Sequence, residues 1–486
     1  MARTVDRVTG VLRGYPAGPL DEAVDPDGQI RPGYVDVIAA LDGAGISGLR
    51  DAATELDRLR AAEGIVFTAD IDGVVQEQPF PLDPIPRLLS GADWARISAG
   101  LRQRTRALNA FLDDVYDQAQ IVRDGLMPDW VVQQCPGFLP GARDLAPGGR
   151  PRATVLGFDL LHPPSGEWVV LEDNLRVPSG LGYAVANRRT AAAALPMLYP
   201  WDGVRSPDRV GAMLLDALVS AAPPRCRRET PQVALLSDGP ANSAWYEHTL
   251  LARAMGVPVV TPADLAGDAD GITAMVDGRS IGVDVLYRRL ADDEIIAGSA
   301  VAPEVNMLLQ DASRAGTVSI ANAPGNGVAD DKATYAFVHT MIDYYLAEKP
   351  VIADVGTWVL ADPGQYEAVR DRLADLVVKP VDGSGGAGVM IGPEMTDEQI
   401  RQMQASVAAA PERFIAQEVI RFSSHPTLTP LGLAPRHVDL RVFALAGADG
   451  TVTIPEVALS RVALESDGLL VNSSRGGGSK DTWLMR

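Results

Sequence analysis

A lysine followed by a cluster of glycines is the part of this sequence with the clearest chemistry. The apolar run Leu376–Val378 predicts a strand that leads into Lys379, and Val389–Ile391 predicts a returning strand. Between them lie Gly383, Ser384, Gly385, Gly386 and Gly388. Glycines let backbone N–H groups approach phosphate oxygens, and a lysine adds a point charge. We therefore expect a phosphate-binding flap between antiparallel strands, and an ordinary hairpin is the alternative.

The same cluster satisfies G-x-G-x-x-G between Gly383 and Gly388. That fingerprint indicates dinucleotide binding only where a helix follows the turn, and here a strand is predicted to follow. No Gly-Lys-Ser/Thr triplet closes the turn, so the sequence does not match a P-loop. A glycine flap with Lys379 at its root is the interpretation that remains.

A predicted hairpin earlier in the chain carries oxygen donors. Its strands are Thr154–Leu160, which contains Asp159, and Trp168–Glu172, which is followed closely by Asn174. Because residues two apart on a strand point the same way, Glu172 and Asn174 share a face. Such oxygen ligands suit Mg²⁺ that holds nucleotide phosphates, which we favour over a merely polar hairpin end. We expect the three groups to converge and to face Lys379 across a cleft.

Further cations stand on predicted elements late in the chain. Lys332 opens a predicted helix, where the helix dipole prefers anions, so a bound phosphate and a solvated lysine are both open. The predicted strands His437–Leu445 and Val457–Val462 carry Arg441 and Arg461. These groups could neutralise negative charge near the flap.

Two more segments are candidates for ligand contact. Phe414–Val419 is predicted to be an edge strand carrying Gln417, Glu418 and Val419, which could present backbone groups to an adenine edge. Asn472 opens a run rich in glycine and small donors. That run indicates either an anion-binding loop or a disordered terminus.

The first 150 residues are expected to be mostly helical, with a break at the proline-rich stretch Pro79–Pro86. Three arginines, Arg102, Arg104 and Arg106, lie on one of the predicted helices. We assign most of them to a solvated face, while a substrate contact by one or two stays open.

Residues 208–289 alternate predicted helices and strands, which indicates a small parallel sheet. Its last strand is predicted over Ile281–Tyr287 and leads to Arg288 and Arg289. For these arginines a contact to a substrate carboxylate and a surface role are equally open.

The composition narrows the class of protein. A formal net charge of −20 over 486 residues argues against nucleic acid and anionic membranes as main partners, although a local cationic cluster can still bind a nucleotide. Cys135 and Cys226 give neither a disulfide framework nor metal-ligand spacing, and we expect both to be reduced and buried. No apolar run has the length of a signal peptide or a membrane span, so a cytoplasmic location is expected.

Taken together, the motifs resemble the circularly permuted type 2 branch of the ATP-grasp superfamily, in which the metal-binding motif precedes the lysine and the glycine flap. In chain order they are LEDNLRVPSG (Leu171–Gly180), VADDKATYAF (Val328–Phe337), VVKPVDGSGGAG (Val377–Gly388), PRHVDLRVFAL (Pro435–Leu445), LSRVAL (Leu459–Leu464) and VNSSRGGGSKDTW (Val471–Trp483). The sequence departs from the family pattern at Leu290–Leu309, at Glu418 in place of a proline, and at Arg475 in place of a neutral amide. These departures bear on the substrate more than on ATP binding.

The resemblance implies a role for each motif. ATP phosphates would meet Lys332, Lys379 and Gly383–Gly388, and adenine would meet Gln417, Glu418 and Val419. Mg²⁺ would be held by Asp159, Glu172 and Asn174. The γ-phosphate or the reacting carboxylate would be held by Arg441 and Arg461, and the acceptor side would be lined by Asn472 and Ser473–Ser479.

The implied fold is a mixed α/β (α+β) permuted ATP-grasp architecture with antiparallel-sheet lobes. Its expected divisions are a mostly helical region 1–150, a metal-binding hairpin 151–205, a small parallel α/β domain 206–330 and nucleotide-binding lobes 331–486. The implied activity is ATP- and Mg²⁺-dependent ligation of a small-molecule or peptide carboxylate to an amine through an acyl phosphate. A small-molecule kinase and a non-catalytic nucleotide-binding protein are the alternatives. The sequence determines neither the two substrates nor the oligomeric state.

Overall fold

The computed structural model describes residues 10–71, 74–146, 148–199, 201–296, 303–381, 388–463 and 477–486. Within these ranges no helix combines the length and the apolar character needed to cross a bilayer. Four of the predicted flap residues, Gly383–Gly386, and the predicted acceptor residue Asn472 lie outside the described residues, whereas Gly388 lies inside them.

The strands are numbered in chain order. They are β1 Val66–Ile71, β2 Val74–Pro79, β3 Leu82–Leu89, β4 Val155–Leu161, β5 Val169–Asn174, β6 Val233–Leu236, β7 Val259–Val260, β8 Leu265–Asp268, β9 Gly271–Val276, β10 Arg279–Val283, β11 Val285–Arg288, β12 Ser319–Ala321, β13 Ala353–Asp354, β14 Thr357–Val359, β15 Leu376–Pro380, β16 Met390–Ile391, β17 Phe414–Glu418, β18 Ser424–Thr429, β19 Gly432–Ala446, β20 Val452–Thr453, β21 Ala458–Val462 and β22 Gly478–Leu484.

The helices are numbered in the same way. They are α1 Val35–Glu63, α2 Gly91–Val115, α3 Gln120–Arg123, α4 Asp129–Gln133, α5 Leu181–Ala194, α6 Val210–Ser220, α7 Trp245–Met255, α8 Asp292–Ile296, α9 Pro303–Ala315, α10 Gly327–Asp330, α11 Lys332–Tyr335, α12 Val338–Leu346, α13 Pro363–Val369 and α14 Asp397–Ala409.

A large central sheet positions the candidate site. Its strand order is β13-β5-β4-β19-β21-β22-β3, and β18 and β20 pair with β19. Apolar side chains from one face pack with α2 and α12, and those from the other face pack with α5, α6 and α7. Because side chains alternate along each strand, neighbouring residues of β4, β5 and β19 enter different layers.

The N-terminal region contains strands as well as helices. The stretch Pro79–Pro86 was expected to interrupt regular structure, yet most of it lies in β3, which pairs in parallel with β22. Pro84 and Pro86 are accommodated because β3 lies at the edge of the central sheet and its pairing is irregular between Lys480 and Thr482.

The predicted small parallel sheet is confirmed, with strand order β12-β11-β6-β7. The single strand expected over Ile281–Tyr287 is wrong, because the chain changes sheets at Asp284. β10 belongs to a separate antiparallel sheet, and β11 joins the parallel one. At the change the Asp284 carboxylate pairs with Arg228 and accepts the N–H of Gln232.

A four-stranded sheet, β14-β17-β15-β16, carries the flap lysine. β15 and β16 are antiparallel, with Val377 opposite Ile391, so the predicted hairpin strands are confirmed. The expectation that β17 is an edge strand is wrong, since it lies between β14 and β15 and pairs with both.

The end of the described chain is an ordered strand. β22 lies between β21 and β3, and Trp483 is fully buried. A disordered terminus is therefore excluded for residues 477–486. The anion-binding alternative concerns residues 464–476, which fall outside the described part.

Candidate active site

The hairpin predicted to bind the metal is built from β4 and β5, whose pairing decides which side chains meet. Asp159 lies opposite Glu172, and Gly157 lies opposite Asn174. Alternation along β5 sends Glu172 and Asn174 to the same face and Asp173 to the other. The structure thus brings the three predicted oxygen donors together on one face of the central sheet.

Two arginines from the neighbouring strands reach Asp159. Arg441 donates to both carboxylate oxygens, with Nε–Oδ1 at 2.6 Å and Nη2–Oδ2 at 2.7 Å. Arg461 Nη2 lies 2.9 Å from Oδ2, and its Nε donates to Asp439 at 3.0 Å. Burial would raise the pKa of the Asp159 carboxyl, but the charges of Arg441 and Arg461 outweigh it, and the pKa falls below its usual value.

That pairing distinguishes Asp159 from the other two predicted metal ligands. Both oxygens of Asp159 accept from guanidinium groups. Glu172 makes no ion pair among the described residues, and Asn174 is a neutral amide. The Asn174 Nδ2 atom is buried without a hydrogen-bond partner in the described part of the chain. No group of three His, Cys, Asp or Glu side chains converges as a metal cluster within it either. One carboxylate and one amide fit Mg²⁺ that takes its other ligands from phosphates and water.

The flap lysine lies within electrostatic reach of this hairpin. Burial lowers the pKa of Lys379 to about 8, Glu172 and Asp159 act to raise it, and Lys332 acts to lower it. The carboxylates of the hairpin, Asp159 and Glu172, therefore lie close enough to Lys332 and Lys379 for their charges to interact. Carboxylates and lysines this close to one another are what a site that binds a polyanion with a metal requires.

Lys332 occupies the first position of α11, but that helix has only four residues. Asp331 caps it, and the Asp331 side chain accepts the N–H groups of Ala333 and Thr334. These N–H groups are already satisfied, so a phosphate bound by the helix start does not explain the lysine. A phosphate near this helix would therefore be bound by the Lys332 side chain, which lies close to Lys379, and not by the backbone.

The predicted adenine strand is more enclosed than expected. Gln417 is buried; its Nε2 donates to Thr357 Oγ1 at 2.9 Å, while its Oε1 lacks a partner among the described residues. The N–H of Glu418 donates to the Gly356 carbonyl, and its carboxylate pairs with Arg372. Val419 follows directly after the end of β17. The backbone positions still able to meet an adenine edge thus begin at Val419.

A loop that sequence reasoning left without a role lies beside Arg441. Arg289 donates to the Pro178 carbonyl at 2.8 Å and to Ser179 Oγ at 2.6 Å. Arg441 Nη1 donates to the Ser179 carbonyl at 3.1 Å. Glu247 Oε1 accepts the N–H groups of Gly180 and Gly182 at 2.7 and 2.9 Å. The segment 178–182, which includes the first two residues of α5, is therefore held by charged groups from α7 and β19 and by Arg289, which directly follows β11.

Arg288 and Arg289 are both buried, which excludes the surface role. Arg288 donates to the carbonyls of Asn322 and Leu290 and pairs with Asp292. Its contacts fix the backbone, whereas those of Arg289 reach the loop beside the cavity described next. The only sequence signal for this difference was the pair of arginines at a strand end.

A cavity of about 570 Å³ opens next to the hairpin. Its walls include Asn174 and Arg441 from the predicted site, together with Pro136, Gly137, Leu139, Arg176, Val177, Pro178, Ser179, Ala291, Asp292, Ile296 and Asp330. A small organic molecule in this space would touch both the predicted metal ligand and the predicted catalytic arginine.

Burial decides two expectations about other side chains: a solvated face is confirmed for two of the three arginines of α2, and burial is confirmed for one of the two cysteines. Arg102 and Arg106 are exposed, but Arg104 is fully buried and donates to both oxygens of Asp173 at 2.6 and 2.7 Å and to Asp354 at 2.6 Å. Cys135 is buried as expected, whereas Cys226 is only partly buried. Both cysteines are free thiols.

The sequence profile of the circularly permuted ATP-grasp type 2 family matches residues 86–463. This chain belongs to that family, as the motifs predicted. The solved structure of a glutathione synthetase-like effector from Globodera pallida is similar in fold: the TM-score is 0.57 at 11% identity, covering 90% of this chain and 97% of that chain.

Among the curated relatives, a putative glutamate–cysteine ligase of Frankia alni is 48% identical over 99% of this chain and 56% of its own length. A second such protein, from Frankia casuarinae, is 45% identical over 98% of this chain and 55% of its own length. An uncharacterised protein of Mycobacterium tuberculosis is 40% identical over 96% of this chain and 84% of its own length. The chain spans about half the length of the two Frankia relatives.

Proposed function

We propose that this protein is an ATP- and Mg²⁺-dependent ligase that joins a carboxylate to an amine through an acyl phosphate. One set of observations carries the proposal. Glu172, Asp159 and Lys332 lie close enough to Lys379 to act on its pKa, and Arg441 and Arg461 both pair with Asp159. Arg441 also lines the cavity, together with Asn174. Family membership and the names of the Frankia relatives support a ligase rather than another nucleotide-binding activity.

The residues divide between the nucleotide and the carboxylate. Lys332 and Lys379 would neutralise the ATP phosphates, and Glu172 with the Asn174 amide would hold Mg²⁺. The bound metal would neutralise charge on the transferring phosphoryl group and orient it. Gly383–Gly388 is the segment we expect to cover the phosphates, and Val419 marks the adenine side. These roles follow from the resemblance and from the electrostatic proximity described above.

The reaction takes place in two steps. A carboxylate oxygen of the acid forms a bond to the γ-phosphorus while the bond to the bridging oxygen breaks and ADP leaves. The amine then forms a C–N bond at the acyl carbon, phosphate leaves with the C–O electron pair, and the amine proton passes to solvent. Arg441 lines the cavity and Arg461 pairs with the same Asp159, which supports a role in which these guanidinium groups would hold the anionic oxygens of both steps.

Hydroxylamine makes this proposal testable without knowing the amine, because it captures acyl phosphates as hydroxamates. The protein would be incubated with MgATP, hydroxylamine and a panel of carboxylic acids, and hydroxamate and ADP would be measured. We expect equal amounts of both products with at least one acid and neither product without ATP. ADP formation that requires a hydroxyl compound and gives no hydroxamate would indicate a kinase. Binding of MgATP without any turnover would indicate a non-catalytic nucleotide-binding protein.

A further inference from the structure

The cavity beside the hairpin is lined by charged side chains of both signs. Arg441 and Ser179 lie where the segment 178–182 meets β19, and Asp292 and Asp330 come from α8 and α10. Arg176 also lines the cavity and pairs with Asp330 at 2.8 Å. A space lined by two cationic and two anionic side chains suits a ligand that itself carries both charges.

Ser179 is placed as a hydrogen-bond donor toward that space. Its Oγ accepts from Arg289 Nη2 at 2.6 Å, and within the described residues the hydroxyl donates to no acceptor. A cation that donates to a hydroxyl oxygen directs and strengthens the remaining O–H donor. An anionic oxygen near Ser179 would therefore meet this hydroxyl and the guanidinium of Arg441.

The acidic part of the wall has the opposite preference. The Asp330 side chain is 12% exposed, accepts the N–H of Leu175 and pairs with Arg176. Asp292 is equally exposed and pairs with Arg288 at 2.7 Å. A carboxylate retains further lone pairs after such contacts, and an ammonium group can use them. The apolar side chains of the lining can only contribute packing.

We propose that this cavity binds an α-amino acid as the acyl donor, with its carboxylate at Ser179 and Arg441 and its ammonium group at Asp330 and Asp292. The inference rests on the proposed function and adds the class of acid. It places the reacting carboxylate beside Asn174, which would bring it to the metal-bound phosphate. The bonds formed and broken are those of the two steps above, and the ammonium group takes no part in them.

Arg289 acts through Ser179 and is a positioning residue. Its side chain is 2% exposed, and its contacts are to the loop, to Tyr287 and to Glu247 rather than to the open cavity. Gly180 adopts φ 122°, a backbone conformation available mainly to glycine, so the loop needs these clamps to keep one geometry. Loss of Arg289 is therefore expected to have the same effect as loss of the Ser179 hydroxyl.

The test is calorimetric binding of the twenty proteinogenic L-amino acids and their deamino acids to the whole protein saturated with Mg²⁺ and a non-hydrolysable ATP analogue. We expect at least one amino acid to bind at least tenfold more tightly than its deamino acid. Asp330→Asn should reduce that ratio to below threefold. Ser179→Ala should weaken the amino acid and its deamino acid by the same factor, and Ser179→Thr should restore binding.

Arg289→Gln tests the positioning role, with the melting temperature and ATP-analogue affinity as checks on folding. The double variant with Ser179→Ala should bind the amino acid no more weakly than either single variant. The inference would be overturned if the protein bound the ATP analogue but bound none of the amino acids. Equal affinity for amino acids and their deamino acids would also overturn it. In that case hydroxamate formation from other carboxylic acids would still support the ligase, whereas its absence with every acid would reject the ligase itself.

Discussion

Two clusters of arginine and aspartate lie on opposite faces of the central sheet. On one face Arg104 binds Asp173 and Asp354, and its side chain has no exposed surface. On the other face Arg441 and Arg461 bind Asp159, and Arg441 remains 16% exposed and lines a cavity. The residue types are the same, but only the second cluster is open to a ligand.

The difference begins with a single step along β5. Glu172 and Asn174 point toward the cavity side, and Asp173 between them points into the layer of α2. An ion pair that is buried and closed to ligands has a structural role, because its oxygens and N–H groups are already hydrogen-bonded within the protein. Burial beside a cavity leaves guanidinium donors that can be turned toward a substrate. The comparison predicts loss of stability from one cluster and loss of chemistry from the other.

The largest effect is expected from Arg104→Met. The change leaves Asp173 buried without its partner, which typically lowers the free energy of unfolding by about 3–5 kcal/mol. Urea denaturation would measure it. Arg106→Met is the matched control on the same helix, because Arg106 is 43% exposed and a surface ion pair such as the one it forms with Glu348 contributes little to stability. Equal losses in the two variants would contradict the structural assignment of Arg104.

Arg441→Met should reduce catalysis rather than folding. Asp159 keeps its contact with Arg461, so the carboxylate is not left unpaired. Removal of one donor to a developing oxyanion costs about 100- to 1,000-fold in turnover. The rate of hydroxamate formation would measure this, with the urea midpoint as a check on folding. Turnover within tenfold of the unsubstituted protein would show that Arg441 does not serve the reaction.

The third prediction separates two carboxylates of the site face. Glu172→Gln should raise the Mg²⁺ concentration needed for ATP-analogue binding by at least about tenfold, since it removes a proposed metal ligand. Asp159→Asn should lower turnover through Arg441 and Arg461 and leave the Mg²⁺ requirement within about threefold. Calorimetric titrations at several Mg²⁺ concentrations would measure the Mg²⁺ requirement of both variants, and hydroxamate formation would measure turnover. A larger increase in the Mg²⁺ requirement of Asp159→Asn would indicate that Asp159 also binds the metal.

The smallest effect is a pH dependence of nucleotide affinity. The pKa of Lys379 is lowered to about 8, so its ammonium charge is present below pH 8 and is lost as the pH rises through that value. Phosphates nearby would raise this pKa, so binding above pH 8 should take up a proton and weaken by up to about tenfold per pH unit. Calorimetry between pH 7 and 9.5, in buffers of different ionisation heat, would measure both quantities.

Lys379→Arg is the control for that measurement, because a guanidinium stays charged over the whole range. The lowered pKa of Lys379 also affects the free energy of unfolding. Between pH 8 and about 10.5 the unfolded chain binds more protons at this residue than the folded one, so its contribution to stability rises with pH in that window. An identical pH dependence of affinity in the variant and the unsubstituted protein would exclude Lys379 as its source.

Much of the site could be read from local sequence patterns. The strand containing Asp159, the spacing of Glu172 and Asn174, and the strand ending at Lys379 all depend on two-residue alternation, which a strand imposes wherever it lies. The family and the mixed α/β fold were also identified correctly from the order of the motifs. The position of β17 inside its sheet could not be predicted, because a strand becomes an edge only through the partners it lacks.

The sequence by itself determined which residues alternate on each strand, and hence that Glu172 and Asn174 act on one side and Asp173 on the other. Only the tertiary structure decided that Asp159 is bound by Arg441 and Arg461, that Arg104 is buried, and that Arg289 holds Ser179. The physical reason is that alternation is a property of a few consecutive residues. An ion pair between residues hundreds of positions apart depends on which strands are neighbours and on how much water remains between them.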